Sequence, residues 1–259
     1  MKKLNYLIAL LMLGLVIPVI GHAERAKPSA EKGKKGKKGK KGKKYPFKVN
    51  VRPLVLPAGM NQVSGTLNFD SGSSKSDLGV AFKRGIVKGF DLGATTGLLT
   101  SPNVDWNSTF ALQAGYKVAG KRKGLSLAAQ LDVPLNFGEG KDVLSALDLG
   151  LATRYRLNKK LALHTGEGLV SLGFGDETTI RINVPFGVAF QATRQLNLRV
   201  NTELFSFGSE DATSIADKLP LQLQGLYAIK RMMDAGVAFN KDLIDGDGFT
   251  MMALFNFRM

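Results

Sequence analysis

The chain of 259 residues contains no cysteine. That excludes a disulfide framework, a thiolate metal site, a cysteine nucleophile and a lipid-modified cysteine. Histidine is almost as scarce: His22 and His164 are the only two, so a histidine metal cluster has too few ligands. No metal and no cofactor is expected. Long apolar runs are lacking too. Leu4–Ile20 is one, and no other stretch approaches the ~18 residues that a spanning helix needs. What the chain has in excess is positive charge, formally +15, with 36 Lys and Arg against 21 Asp and Glu. A basic excess first raises nucleic acid or an anionic surface as a partner. Its position argues otherwise. Residues 24–44 alone carry +9, residues 1–23 carry +2, and the remaining chain only +4.

Met1–Ala23 reads as a secretory signal peptide. Lys2 and Lys3 start it, Leu4–Ile20 is its apolar core, and Gly21-His22-Ala23 offers small residues for cleavage. The alternative is a membrane anchor, but Pro18 and the small-residue exit favour cleavage. Residues 24–45 are expected to be disordered, because like charges repel and glycine adds backbone freedom. Their core is a Gly-Lys-Lys triplet repeated four times from Gly33 to Lys44, without the proline of collagen. It presents Lys34, Lys35, Lys37, Lys38, Lys40, Lys41, Lys43 and Lys44. The plain reading is a solvated tether. The functional one is an arm for anionic surfaces, either phospholipid headgroups or peptidoglycan carboxylates. Each lysine beside an anionic leaflet contributes about 1 kcal/mol. In an exported protein nucleic acid is not an expected partner.

From Tyr45 onward the dominant period is two. Leu125, Leu127, Ala129, Leu131, Val133, Leu135 and Phe137 alternate with Ser126, Ala128, Gln130, Asp132, Pro134 and Asn136. Ile180, Ile182, Val184, Phe186, Val188 and Phe190 alternate in the same way with more polar partners. A strand sends successive side chains to opposite faces, whereas a helix would scatter them. Twelve segments follow the pattern: 59–69, 77–84, 89–100, 108–119, 125–137, 143–157, 161–174, 179–191, 196–207, 219–229, 233–240 and 248–258. In the seventh, Leu161 and Leu163 lie on one parity while Val170, Leu172 and Phe174 lie on the other. Gly166 and Gly168 between them could accommodate a bulge that switches faces.

Connections alternate in length, with tight turns after even-numbered segments and longer loops after odd ones. An even strand count with short turns at one end and long loops at the other is the pattern of bacterial outer-membrane barrels. Region 46–259 resembles the small porin-like outer-membrane β-barrel proteins. The opening Arg52–Gly59 (RPLVLPAG) and the last alternating strand, Phe249–Met259 (FTMMALFNFRM), support that resemblance. It implies an all-β, transmembrane, antiparallel up-and-down barrel of about 12 strands in the outer membrane, with both termini periplasmic and outer-membrane lipids and lipopolysaccharide as neighbours. The family usually ends on an aromatic residue, whereas this chain ends on Met259, with Phe255 and Phe257 keeping the alternation.

A soluble barrel would place the same pattern inside out. Against it stand the polar partners of the alternation, Gln130, Asp132, Asn136, Arg154, Arg181, Asn183, Arg199, Asn201 and Glu203. Aromatics near strand ends, at Phe69, Phe90, Phe110, Phe137, Tyr155, Phe174, Phe190, Phe207, Tyr227 and Phe249, suit interface girdles. The lumen is expected to hold Asp91, Lys117, Asp132, Asp148, Arg154, Arg156, Arg181, Arg199, Glu203, Asp234 and Arg258. Eight-stranded barrels are filled by side chains and sixteen-stranded ones hold a channel, so twelve strands leave two options open. These charges line a narrow pore for small hydrophilic solutes or ions, or they pair across a closed lumen and leave a structural, envelope-tethering barrel.

No enzyme motif emerges. Outer-membrane phospholipases use a Ser–His pair on the lipid-facing surface, but no serine is marked out beside His164, which reads as a residue packed in wall or lumen. The two ends differ in charge. The short turns and adjoining Arg84 carry ten basic residues and no acid: Arg84, Lys88, Lys121, Arg122, Lys123, Lys159, Lys160, Arg194, Lys230 and Arg231. The loops carry twelve acidic residues, among them Asp176, Glu177, Glu210, Asp211, Asp242, Asp245 and Asp247, against four lysines. The basic rim is expected to face periplasmic phospholipid, and the acidic rim to face outward, where divalent ions can bridge it to lipopolysaccharide phosphates.

Overall fold

Period-two alternation becomes a single antiparallel sheet in the computed structural model. The structure describes residues 45–259 except 102–104, 121–123, 138–142, 166–168, 175–177, 209–211, 214–218 and 245–247. The expected signal peptide and lysine arm lie outside the described residues, as do Lys121–Lys123 and most of the acidic loop residues. Among the described residues there are fourteen strands: β1 (Asn61–Asp70), β2 (Lys75–Val87), β3 (Phe90–Ser101), β4 (Asp105–Gly120), β5 (Leu125–Asn136), β6 (Ala146–Arg156), β7 (Leu161–His164), β8 (Val170–Phe174), β9 (Thr178–Gln191), β10 (Leu196–Gly208), β11 (Ala212–Thr213), β12 (Pro220–Lys230), β13 (Met233–Asp242) and β14 (Thr250–Arg258).

Successive strands pair up and down, and β1 pairs with β14 from Gln62↔Arg258 to Asp70↔Thr250. With β9 joined to β10, the sheet has no open edge, which removes the unpaired backbone groups that lipid cannot satisfy. The wall has twelve positions. Strands β7 and β8 share one position, since both pair with β6 and with β9, and β11 only extends a loop against β10.

The division of β7 from β8 corrects the single seventh strand expected at 161–174, and its cause is register. Leu161 and Leu163 oppose Phe190 and Val188, while Val170 and Leu172 oppose Ile182 and Ile180. Between those blocks, five steps along β6 from Leu149 to Arg154 face six steps from His164 to Val170. One extra residue switches parity, so leucines of opposite parity share one face. Gly166 and Gly168, expected at the switch, lie outside the described residues. Thr165 bridges the interruption, its backbone N–H donating to the Thr153 carbonyl and its hydroxyl to the Leu151 carbonyl.

The outer face is apolar and open. Leu67, Val80, Leu112, Val200, Leu223 and Val237 are all exposed there. Phe69, Phe137, Tyr155, Phe190, Phe207 and Tyr227 are exposed as an aromatic girdle requires. Phe90 departs from that expectation: it is buried, next to the register shift between Gly85 and Val87. The inner face is polar. Ser64 donates to Asn256, Asn68 to Asp77, and Asn201 to Gln222. Such an inside-out distribution suits a bilayer and would leave a soluble barrel with its apolar surface in water. Val237, on β13 opposite Gly225 and Ala253, is 64% exposed. Val237→Arg is therefore expected to destabilise the barrel by about 2–4 kcal/mol if it sits at the bilayer midplane, measured by urea unfolding in liposomes.

A polar lumen with a plugged mouth as the candidate functional site

Residues 45–60 contribute no strand. They hold only a single turn of 3-10 helix over Val49–Val51 and turn back at Pro57–Met60. Pro53 and Pro57 withhold backbone donors, and the segment has no apolar alternation to satisfy a sheet. It folds inside the barrel at the short-turn end. Gly85 shows how closely: a Cβ there would overlap the Pro57 carbonyl oxygen, so β2 admits the segment because this position has no side chain.

Three groups of contacts hold the plug. Arg52 donates both terminal guanidinium nitrogens to Asp234, at 2.5 and 2.8 Å, and Arg258 donates to the same carboxylate at 2.7 Å. All three residues are at most 7% exposed. The Tyr45 ring lies 5.6 Å from the Arg52 guanidinium and 5.4 Å from that of Arg258. Burial pushes the Tyr45 phenol above its ordinary value of 10.0, opposed by the nearby arginines, so at neutral pH it supplies a π face and no negative charge. One carboxylate therefore serves two buried guanidinium groups.

The second group centres on Asn50, which is 3% exposed. Its backbone N–H donates to Gln191 and its amide to the carbonyl of Lys160, while Asn197 donates to its side-chain oxygen at 2.8 Å. The third ties backbone to charge. Arg154 donates to the carbonyls of Val49 and Arg52, and Leu56 N–H donates to Asp91 at 2.7 Å. Apolar burial comes from Val49 and Leu56 and from a cluster of Val55, Ala128 and Ala152 with Leu54 against it.

Above the plug the lumen is a polar cavity of about 910 Å³, whose floor includes Asn50 and Leu54. Arg154, His164, Arg199, Asn201, Glu203 and Gln222 line its side, and it reaches Asp70 and Phe249 at the far end of the barrel. A second hollow of about 490 Å³ lies along Ser64, Thr66, Asn68, Asp77 and Thr95. Gly187 makes room on the inner wall, since a Cβ there would overlap both the Asn201 amide oxygen and the His164 ring.

The charged residues expected in the lumen thus fall into separate groups. Asp91, Arg154, Asp234 and Arg258 hold the plug. Arg199 and Glu203 line the cavity, as Arg154 does at its floor. Asp132 and Asp148 oppose each other across β5 and β6, and Arg156 is half-buried opposite Ala162. Arg181 and Lys117 are exposed, Lys117 opposite Ala128 near a strand end. His164 shares the inner face with Arg154 and Gly187, away from a lipid-facing position. Among the described residues no group of three or more acidic, histidine or cysteine side chains is placed to hold a metal.

The fold itself has distant counterparts among solved structures. KdgM porin matches with a TM-score of 0.55 at 8% identity, over 76% of this chain and 98% of KdgM. NanC porin matches with a TM-score of 0.55 at 7% identity, over 75% of this chain and 98% of NanC. In fold, the chain is a small twelve-stranded outer-membrane β-barrel resembling these porins. A second structure of KdgM porin, in complex with disordered oligogalacturonate, matches with a TM-score of 0.54. No family model and no curated protein matches the chain.

In this porin-like barrel the plug is the feature that sequence reasoning missed. A signal was present: Asp91 and Asp234 each follow the first residue of a strand, Arg258 ends one, and Arg154 lies near the end of another, all at the short-turn end. Replacing Asp234 with Ala leaves two buried guanidinium groups without their shared counter-charge, a change that costs about 3–5 kcal/mol in buried pairs. The expected outcome is faster chymotryptic cleavage at Tyr45 and Phe47, while the barrel keeps its heat-modifiable migration on gels.

Proposed function

We propose that the chain is a passive porin-like channel for small hydrophilic solutes or ions. The observation that carries this reading is the cavity inside a closed barrel, running from the plug to the far mouth, with Arg199, Asn201, Glu203, Gln222 and Gln224 interspersed among apolar residues of its lining. A filled structural barrel has no use for a hollow of that size. Water and small solutes need one lined by groups that replace their hydrogen bonds. Arg199 on the cavity wall favours carboxylate-bearing solutes, the chemistry of the oligogalacturonate that KdgM holds. No catalytic role is assigned to any residue.

The ends of the barrel suggest its orientation. Arg84, Lys88, Lys159, Lys160, Arg194 and Lys230 are exposed at the short-turn end, where Met259 pairs with Asn61. We place that end in the periplasm against anionic phospholipid, with the lysine arm extending it toward lipid or peptidoglycan, and the acidic end toward lipopolysaccharide. Protease shaving of intact cells is expected to spare the lysine turns, and their cleavage would reverse the orientation.

Purified protein in planar bilayers is expected to conduct, and a fully inserted, silent barrel would contradict the channel reading. Arg199→Gln is expected to move the reversal potential in a salt gradient toward cation preference, with unchanged heat-modifiable migration.

A further inference from the structure

Resting on the channel reading, we propose that Tyr45–Leu56 is a releasable gate at the short-turn mouth, latched by Arg52 on Asp234. The reasons lie in what the plug touches and in what the barrel does without it. Its contacts are mainly polar. Asn50, Arg52, Leu56 N–H and the carbonyls of Val49 and Arg52 meet Gln191, Asn197, Asp234, Asp91 and Arg154. When such groups separate in a water-filled lumen, water replaces each partner, so the net cost is small for the neutral Asn50 bonds and larger for those to Asp234, Asp91 and Arg154, which form the latch. A permanent core element would be held by extensive apolar burial, and here the plug buries only Val49, Val55 and Leu56, with Val55 packed on two alanines and Leu54 half-buried against them.

Barrel closure does not depend on the segment. The ladders of β1 with β2 and with β14 begin at Asn61 and Gln62, after the plug has ended. Withdrawal leaves all twelve wall positions paired. A pivot exists between the two parts. Gly59 has φ +77, its missing side chain faces open space, and Pro57–Met60 closes a turn at the rim. Ala58 and Gly59 are exposed.

Release would also change the pore. Asp91, Arg154 and Asp234, now hydrogen-bonded to the plug, and Arg258 beside them would become the lining of the short-turn mouth. The same inner-facing charges therefore serve a closed state as latch and an open state as pore wall. The plug carries Lys48 and Arg52 and no acidic residue, so its movement transfers positive charge out of the lumen.

The test compares single-channel currents of four proteins: wild type, a deletion of Tyr45–Leu56, Arg52→Ala, and a Val55→Cys/Ala128→Cys pair. The chain has no cysteine of its own, so that disulfide reports the plug alone. The deletion is expected to give a severalfold larger, steadier conductance. Arg52→Ala is expected to raise the open-to-closed ratio roughly ten- to hundredfold, from loss of charged hydrogen bonds. The oxidised cysteine pair should hold the closed level and recover on reduction. Equal currents from wild type, deletion and oxidised pair would overturn the gate and leave the channel standing. Silence of the deletion protein, with heat-modifiable migration intact, would overturn the gate and the channel together.

Discussion

One carboxylate, Asp234, organises the short-turn end of this barrel. It sits on the inner face of β13 and receives Arg52 from the plug and Arg258 from the last residue of the last strand. Arg258 also donates to Gln62 on β1, so the point where the barrel closes on itself and the point where the plug is held are the same cluster. The two guanidinium groups that share this buried carboxylate also stack on the Tyr45 ring, and each has a further acceptor, the Pro46 and Phe47 carbonyls for Arg52 and Gln62 for Arg258. That ties the position of a segment without regular structure to the end of the sheet.

The rest of the molecule follows from the solvent on each side of the wall. Lipid demands a closed sheet and an apolar exterior, which the exposed leucines, valines and phenylalanines supply. Twelve strands leave more interior than side chains fill, so the inner face is lined with amides, hydroxyls and charges rather than packed. The inner face needs glycine where polar groups crowd, as at Gly187 between Asn201 and His164. A plug fits this interior because its own surface is polar as well.

Much of the wall was legible in the sequence because alternation reports directly on a surface with lipid on one side and water on the other. Eleven of the twelve segments appear as continuous strands near their expected bounds, and the parity break between Leu163 and Val170 marked the interruption in the other. Length was less legible. β2 runs from Lys75 to Val87, beyond the expected 77–84, since Lys75 and Ser76 carry no apolar signal and the adjacent Ile86 and Val87 break the alternation after Gly85. The plug was not legible, because Tyr45–Met60 has no period and pattern reading passes over it. Nor does alternation say what an inward charge meets: Asp91 and Glu203 look equivalent in sequence, yet one accepts from Leu56 and the other lines the cavity.

The central claim is that the plug and the barrel are separable units, one resting inside the other. Amide hydrogen exchange in detergent or liposomes measures this directly, because it reads the opening of each segment by itself. The account predicts that amides of Val49–Leu56 exchange faster than the β1–β14 ladder, and that Arg52→Ala speeds the former without changing the latter. If plug and ladder exchanged at one rate, and Arg52→Ala accelerated both together, the segment would be a fixed part of the barrel core and the account would be wrong.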